Sequence, residues 1–200
     1  MIHTPPVVVV LAAGRGSRFD GSGHKLTQPL HDRSVLATTL SRVIQSGLPS
    51  VLVTTAELVD EASELIAQHD IVVLPSTETQ RGMARSIVAG VSARADAPGW
   101  LILPADMPLV RPESLRTVAQ ALPGHACVVP YFQGRRGHPV AFSAELFSEL
   151  MALTGDEGAR RLLMRYPAQA IELADSGILI DIDTQDDLRR AREPLPGTPS

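Results

Sequence analysis

The 200-residue chain is 44% apolar and 20% charged, ordinary for a globular protein and long enough to bury a sizeable core in one α/β unit. Its formal net charge of −4 argues against a nucleic-acid binder that works by bulk positive charge. The single cysteine, Cys127, excludes an internal disulfide and any multi-cysteine zinc site, which fits a reducing, cytoplasmic setting.

Residues 7–13 form a continuous apolar run that reads as a buried strand. The run is too short to span a bilayer and has no basic segment before it, so neither a membrane span nor a signal peptide is expected. Residues 34–47 place Val35, Leu36, Leu40, Val43 and Ile44 on one helical face, with Ser34 as N-cap and Gly47 as the stop. A strand at 50–55, a helix at 58–68 and a strand at 71–74 follow. Residues 83–95 predict a helix with Ile87, Val88 and Val91 inward, and 100–103 a fourth buried strand ended by Pro-Ala-Asp-Met-Pro. A helix at 113–122 and a strand at 126–130 come next.

After Pro130 the rhythm changes to a short strand at 138–142, helices at 144–153 and 158–166, and two apolar runs that flank 175–177 like a hairpin. Thr184 caps a last helix over 185–192, and Asp187, three residues on, completes a capping box. Residues 194–200 read as a disordered Pro/Gly/Ser tail, leaving 1–193 as a single domain. Buried strands alternating with helices indicate a mostly parallel sheet covered on both faces, a three-layer α/β fold.

The first strand runs into a loop, Gly14 to Lys25, with four glycines, two arginines and a lysine. Beyond a strand of such a sheet is where ligands bind. The dinucleotide fingerprint needs glycine where Phe19 stands, and the phosphate-binding P-loop needs Gly-Lys-Ser/Thr where the chain has His24-Lys25-Leu26. A third pattern, Leu-Ala-Ala/Gly-Gly-x-x-x-Arg-Met/Phe with a lysine some residues on, is met by Leu11 to Gly14, Arg18-Phe19 and Lys25. It resembles the signature of enzymes that move a nucleoside monophosphate from an NTP to a phosphorylated acceptor. Small residues at Ala12, Ala13, Gly14 and Gly16 let backbone N–H groups approach phosphates, while Arg18 and Lys25 offset the charge of departing pyrophosphate. The bland alternative is a solvated turn with incidental charges. Lys25 is the chain's only lysine, since seventeen of the eighteen Lys plus Arg residues are arginine. A compact ammonium there acts as a point charge rather than a planar fork.

Asp106 follows the fourth buried strand and adjoins this loop if both strands lead to the same edge. A triphosphate calls for a divalent cation, and Mg²⁺ suits carboxylate and phosphate oxygens. The alternative for Asp106 is turn chemistry at a strand end. Asp183, just before the last helix cap, is the candidate second metal ligand.

The chain as a whole resembles the molybdenum cofactor nucleotidyltransferase family, and within it the cytidylyltransferase branch. The resemblance covers nearly all of residues 7–192 and includes four further blocks: TQRGMARSI (79–87), RGHPVAF (136–142), LTGDEGARRLL (153–163) and GILIDIDTQDDL (177–188). It implies a Rossmann-like, three-layer nucleotidyltransferase domain with a mostly parallel mixed sheet. It also implies that Leu11, Ala12, Ala13, Gly14, Gly16 and Ser17, with Gly82, Met83 and Ser86, hold the nucleotide. By the same resemblance Arg18 and Lys25 face the phosphates and Asp106 holds Mg²⁺. The resemblance also puts His138, Asp156 and Arg160 near a pterin acceptor; the alternative for His138 is a turn before Pro139, and for Asp156 a helix cap. In the family an Ala-Ala-Gly loop goes with cytidylyl transfer, so Ala13 favours CTP. The partners implied are CTP, a molybdopterin-type acceptor and a molybdoenzyme that receives the product, with no nucleic acid or membrane. The rivals are another phosphorylated acceptor, GTP as donor, or a non-catalytic protein that delivers the cofactor.

Overall fold

Val8, Val9 and Val10 have no exposed surface at all, and burying each side chain contributes about 1.5–3 kcal/mol. That burial on both faces is what a central parallel strand requires, and it organises the whole chain. The structure, a computed structural model, describes residues 4–14, 19, 23–79, 82–155 and 158–193. The 194–200 tail lies outside the described residues.

The first strand, β1 (Val7–Leu11), leads past a 3-10 turn at Lys25–Thr27 to the small ribbon β2 (Pro29–Leu30) and β3 (Arg33–Ser34), then helix α1 (Val35–Ser46). Ser34 caps α1 by accepting from the Ala37 N–H, and Gly47 ends it in the left-handed conformation with φ 71°. Next come β4 (Ser50–Thr54), α2 (Val59–Ser63), β5 (Ile71–Val73), α3 (Ser76–Thr79), α4 (Met83–Ser92), β6 (Gly99–Pro104) and α5 (Pro112–Ala121). The last part holds β7 (Cys127–Phe132), β8 (Arg135–Arg136), β9 (Val140–Ser143), α6 (Phe147–Met151), α7 (Arg160–Arg165), β10 (Ala168–Glu172) and α8 (Gln185–Ala191). Among the described residues no helix is long and apolar enough to cross a membrane.

The main sheet has the order β10-β7-β9-β6-β1-β4-β5, with β8 on β7. Its β10–β7, β6–β1, β1–β4 and β4–β5 pairs are parallel, while β9 runs antiparallel to both β6 and β7. Alternate residues of each strand feed opposite cores. Val8, Val10, Leu52, Leu101 and Leu103 pack with the inner faces of α1, α5 and α8. Val7, Val9, Val51, Val53 and Trp100 pack with α4, α6 and α7 on the other side. The result is the expected mostly parallel mixed sheet between two helical layers.

Two local expectations fail. The helix expected over 58–68 is α-helical only at Val59–Ser63; the Leu65 N–H bonds three residues back to the Ala62 carbonyl, which also takes the Ile66 N–H, and the chain then leaves the helix. Leu58, Ala62, Leu65 and Ile66 still reach the core, so the apolar spacing persists after the helix has ended. The runs around 175–177 do not form a hairpin. The first is β10, parallel to β7, and the second is a 3-10 turn at Ser176–Leu179. The buried Asp175 carboxylate redirects the chain by accepting from the Gly177 N–H, the Arg111 N–H and the Ser114 hydroxyl at 2.9, 2.9 and 2.6 Å.

Candidate active site

Leu11 and Pro104 are register partners in the parallel β1–β6 pair, so the first loop and Asp106 leave the same sheet edge side by side. The backbone around Asp106 is fixed from three sides. The Ala105 N–H donates to the Leu11 carbonyl at 2.9 Å, the buried Thr39 hydroxyl donates to the Ala105 carbonyl at 2.7 Å, and the Ile182 N–H donates to the Asp106 carbonyl at 2.9 Å. The last bond also brings the segment before α8 across the sheet edge, which is how Asp183 arrives. Thr184 and Asp187 form the expected capping box immediately behind it.

Lys25 begins the short 3-10 turn whose next residue, Leu26, is 2% exposed and anchored in the core. His24 caps that turn through Nδ1, which accepts from the Leu26 N–H at 3.2 Å. From this base the Lys25 ammonium donates to Asp106 Oδ2 at 2.6 Å and to Asp183 Oδ1 at 2.7 Å. Burial works against its charge, but attraction and hydrogen bonds from Asp106, joined by those of Asp183, outweigh it and hold the lysine pKa above its usual value. For Asp106 burial is the stronger influence and lifts the carboxyl pKa despite the Lys25 charge.

These groups line a cleft of about 900 Å³. The cleft is also lined by Leu11, Ala12, Ala13 and Gly14, with Gly82, Met83 and Ser86 from the start of α4. His138 lies on the rim formed by the chain between β8 and β9, its N–H bonded to the Ile178 carbonyl at 2.9 Å. Of the residues expected from sequence, the structure thus gathers Leu11 to Gly14, Lys25, Gly82, Met83, Ser86, Asp106, His138 and Asp183 around one space. Arg160, at the start of α7, is exposed and does not line it. Gly16, Ser17, Arg18 and Asp156 lie outside the described residues. The block that carries Asp156 docks on the cleft wall, since the Gly155 carbonyl accepts from the Ala84 N–H of α4 at 3.2 Å.

Sequence reasoning missed Asp181 and Arg136, which also line the cleft. A signal for Asp181 exists: in an extended Asp-Ile-Asp the two acids share a side while Ile182, 0% exposed, takes the other. Arg136 opens the RGHPVAF block and carries no local signal of its own.

Asp106 Oδ1 is buried and has no hydrogen-bond partner, which suits a carboxylate with a coordination site to spare. Among the described residues no cluster of three or more His, Cys, Asp or Glu side chains could hold a metal by itself. Two carboxylates facing an open cleft instead fit a hard divalent cation that completes its shell with water and phosphate oxygens. Asp106 and Asp183 are the residues that would hold it.

Residues 8–170 match a family model described as the MobA-like NTP transferase domain. The chain is 32% identical to the purine catabolism protein PucB of Bacillus subtilis, across 94% of this chain and 96% of that protein. It is 23% identical to the molybdenum cofactor cytidylyltransferase of Escherichia coli, across 92% and 94%. Among solved structures, Rv0371c of Mycobacterium tuberculosis superimposes with a TM-score of 0.81 at 30% identity, over 96% of this chain and all of that one. The manganese complex of Rv0371c superimposes at 0.76 with 29% identity and the same coverage.

Proposed function

The chain belongs to the MobA-like NTP transferase family, and on that premise we propose that it transfers CMP from CTP to the terminal phosphate of molybdopterin, as a single domain over residues 1–193, with Mg²⁺ as its metal. The observation that carries the transfer reading is the convergence of Lys25, Asp106 and Asp183 in a cleft that the Leu11–Gly14 loop also lines. The choice of CTP rests on Ala13 in that loop, and the choice of acceptor on the family resemblance and on the relative from Escherichia coli.

In the proposed reaction an oxygen of the acceptor's terminal phosphate attacks the α-phosphorus of CTP in line. The bond from that phosphorus to the bridging oxygen breaks, leaving CMP on the acceptor and releasing pyrophosphate. No protein nucleophile takes part, and Cys127 is buried in β7 with its thiol pKa pushed up to about 11. The bound cation supplies charge neutralisation for the phosphates. The protein's own part is positioning. Backbone N–H groups of the Leu11–Gly14 loop approach the nucleotide, Gly82, Met83 and Ser86 help to hold it, and Lys25 donates to the phosphates. Arg18 joins Lys25 there. His138 and Asp156 serve the acceptor end, with the neutral His138 imidazole as a hydrogen-bonding partner, while Arg160, exposed outside the cleft, takes no part in it.

Pyrophosphate release measured with each NTP, with and without molybdopterin, tests this reading. Release is expected with CTP plus acceptor, with GTP far behind, and it is expected to fall on the order of 100-fold in Lys25→Ala. Equal release by Lys25→Ala would remove that residue from the mechanism, and CTP binding without turnover would favour a delivery protein.

A further inference from the structure

One ammonium bridges Asp106 and Asp183. Lys25 reaches Asp106 and Asp183 across sequence separations of 81 and 158 residues, at 2.6 and 2.7 Å. All three side chains are largely buried, with 11%, 17% and 28% of their surface exposed. Two carboxylates that converge in this way offer what a divalent cation takes from a protein when phosphates supply its remaining ligands. Lysine and metal therefore compete for the same two carboxylates, and their like charges keep them from sharing the gap. A nucleotide in the cleft changes the balance, because its phosphates give the ammonium a second anionic partner within the same space.

We propose that Lys25 is a place-holding cation with two stations: it neutralises Asp106 and Asp183 while the cleft holds no nucleotide, and it moves to the phosphates when nucleotide and metal arrive together. This rests on the reading of Asp106 and Asp183 as the cation-binding pair. The backbone carrying the two acids is the fixed part: next to Asp106 the Ala105 N–H donates to the Leu11 carbonyl and the Ala105 carbonyl accepts from the Thr39 hydroxyl, the Asp106 carbonyl accepts from the Ile182 N–H, and Asp183 abuts the capping box of α8. The lysine stem, a flexible four-carbon chain projecting from the anchored Leu26 turn, is the mobile part. An arginine would bind the acid pair as a rigid fork, so the one position that keeps lysine in an arginine-rich chain is the one that must let go. The consequence is linkage. Metal alone binds weakly because it must evict the ammonium, and nucleotide strengthens metal binding by giving that ammonium another site.

Mn²⁺ titrated into the intact chain, with free Mn²⁺ read by electron paramagnetic resonance, tests the idea without any turnover. In the absence of nucleotide, Lys25→Met is expected to bind one Mn²⁺ at least about tenfold more tightly than the native chain. The uncharged Lys25→Gln should show the same gain, giving a second variant if the first does not fold. Lys25→Arg, which keeps the charge, should bind no more tightly than the native chain, and the gain should vanish in Lys25→Met combined with Asp106→Asn. After correction for Mn²⁺ held by free CTP, CTP should strengthen Mn²⁺ binding in the native chain and much less in Lys25→Met. The proposal is overturned if the folded Met and Gln variants bind Mn²⁺ no better than the native chain, if the gain survives loss of Asp106, or if CTP strengthens binding equally in both. Failure of the transferase reading would show elsewhere, as a native chain that releases pyrophosphate from none of the NTPs while these metal affinities stand.

Discussion

His138 is largely withdrawn from water at the cleft rim, and burial pulls its pKa down to about 4, with the Arg136 charge adding to the fall and Asp181 opposing it. The imidazole is therefore neutral near pH 7 and acts as a hydrogen-bonding group, not a cation. A depressed folded pKa also sets the sign of its effect on stability. In the unfolded chain a histidine titrates near about 6.5, so between there and about 4 the unfolded state binds more protons. The stabilisation is complete above that window and declines as the pH falls through it. Denaturation midpoints at pH 7.5 and pH 5 should therefore fall further in the native chain than in His138→Leu; equal falls would mean that His138 titrates normally in the folded protein. Not every residue of the cleft announces itself in this way. Lys25 is legible as the sole lysine at the end of a recognisable loop, and Asp106 as an acid at the end of a buried strand. Asp181 and Arg136 are hard to read because their place in the cleft depends on where the chain turns after β10 and β7, a property of tertiary contacts.

Among the elements, the turn from Asp175 to Leu179 has the largest consequence for the site. It replaces the hairpin suggested by its flanking apolar runs, and its Ile178 carbonyl holds the His138 N–H. Gly177 is required there, since a Cβ would lie 2.0 Å from the Leu109 carbonyl oxygen. Asp175, only 2% exposed, satisfies three buried donors at once, so Asp175→Ala leaves all three without a partner. A loss of stability of about 3 kcal/mol is expected by chemical denaturation. A loss below about 1 kcal/mol would show that water replaces the carboxylate as acceptor. The elements with strong end signals match expectation most closely: α1 runs between the Ser34 cap and the Gly47 stop, and α8 starts at the Thr184–Asp187 box. Where such signals are missing, as at the end of α2, apolar spacing alone overstates the helix, because Leu65 and Ile66 still pack on the core after the helix has ended.

For the molecule as a whole, uninterrupted valine and leucine runs separated by helices make the mostly parallel, doubly covered sheet readable in advance. The strand order is not readable. That β9 inserts antiparallel between β6 and β7 depends on contacts between distant segments, such as Trp100 with Phe142, that no local pattern encodes. The order matters because it brings the chain between β8 and β9, the start of α4 and the segment before α8 to the edge where β1 and β6 end. The central claim, that this edge transfers CMP to a molybdopterin phosphate, is tested most directly by label transfer from CTP carrying ³²P at the α-phosphate. With the native chain, Mg²⁺ and molybdopterin, the label is expected in a cofactor–CMP dinucleotide together with an equal amount of pyrophosphate, and Asp106→Asn should abolish both. Label that never reaches molybdopterin, while another phosphorylated acceptor or another NTP supports transfer, would contradict the account.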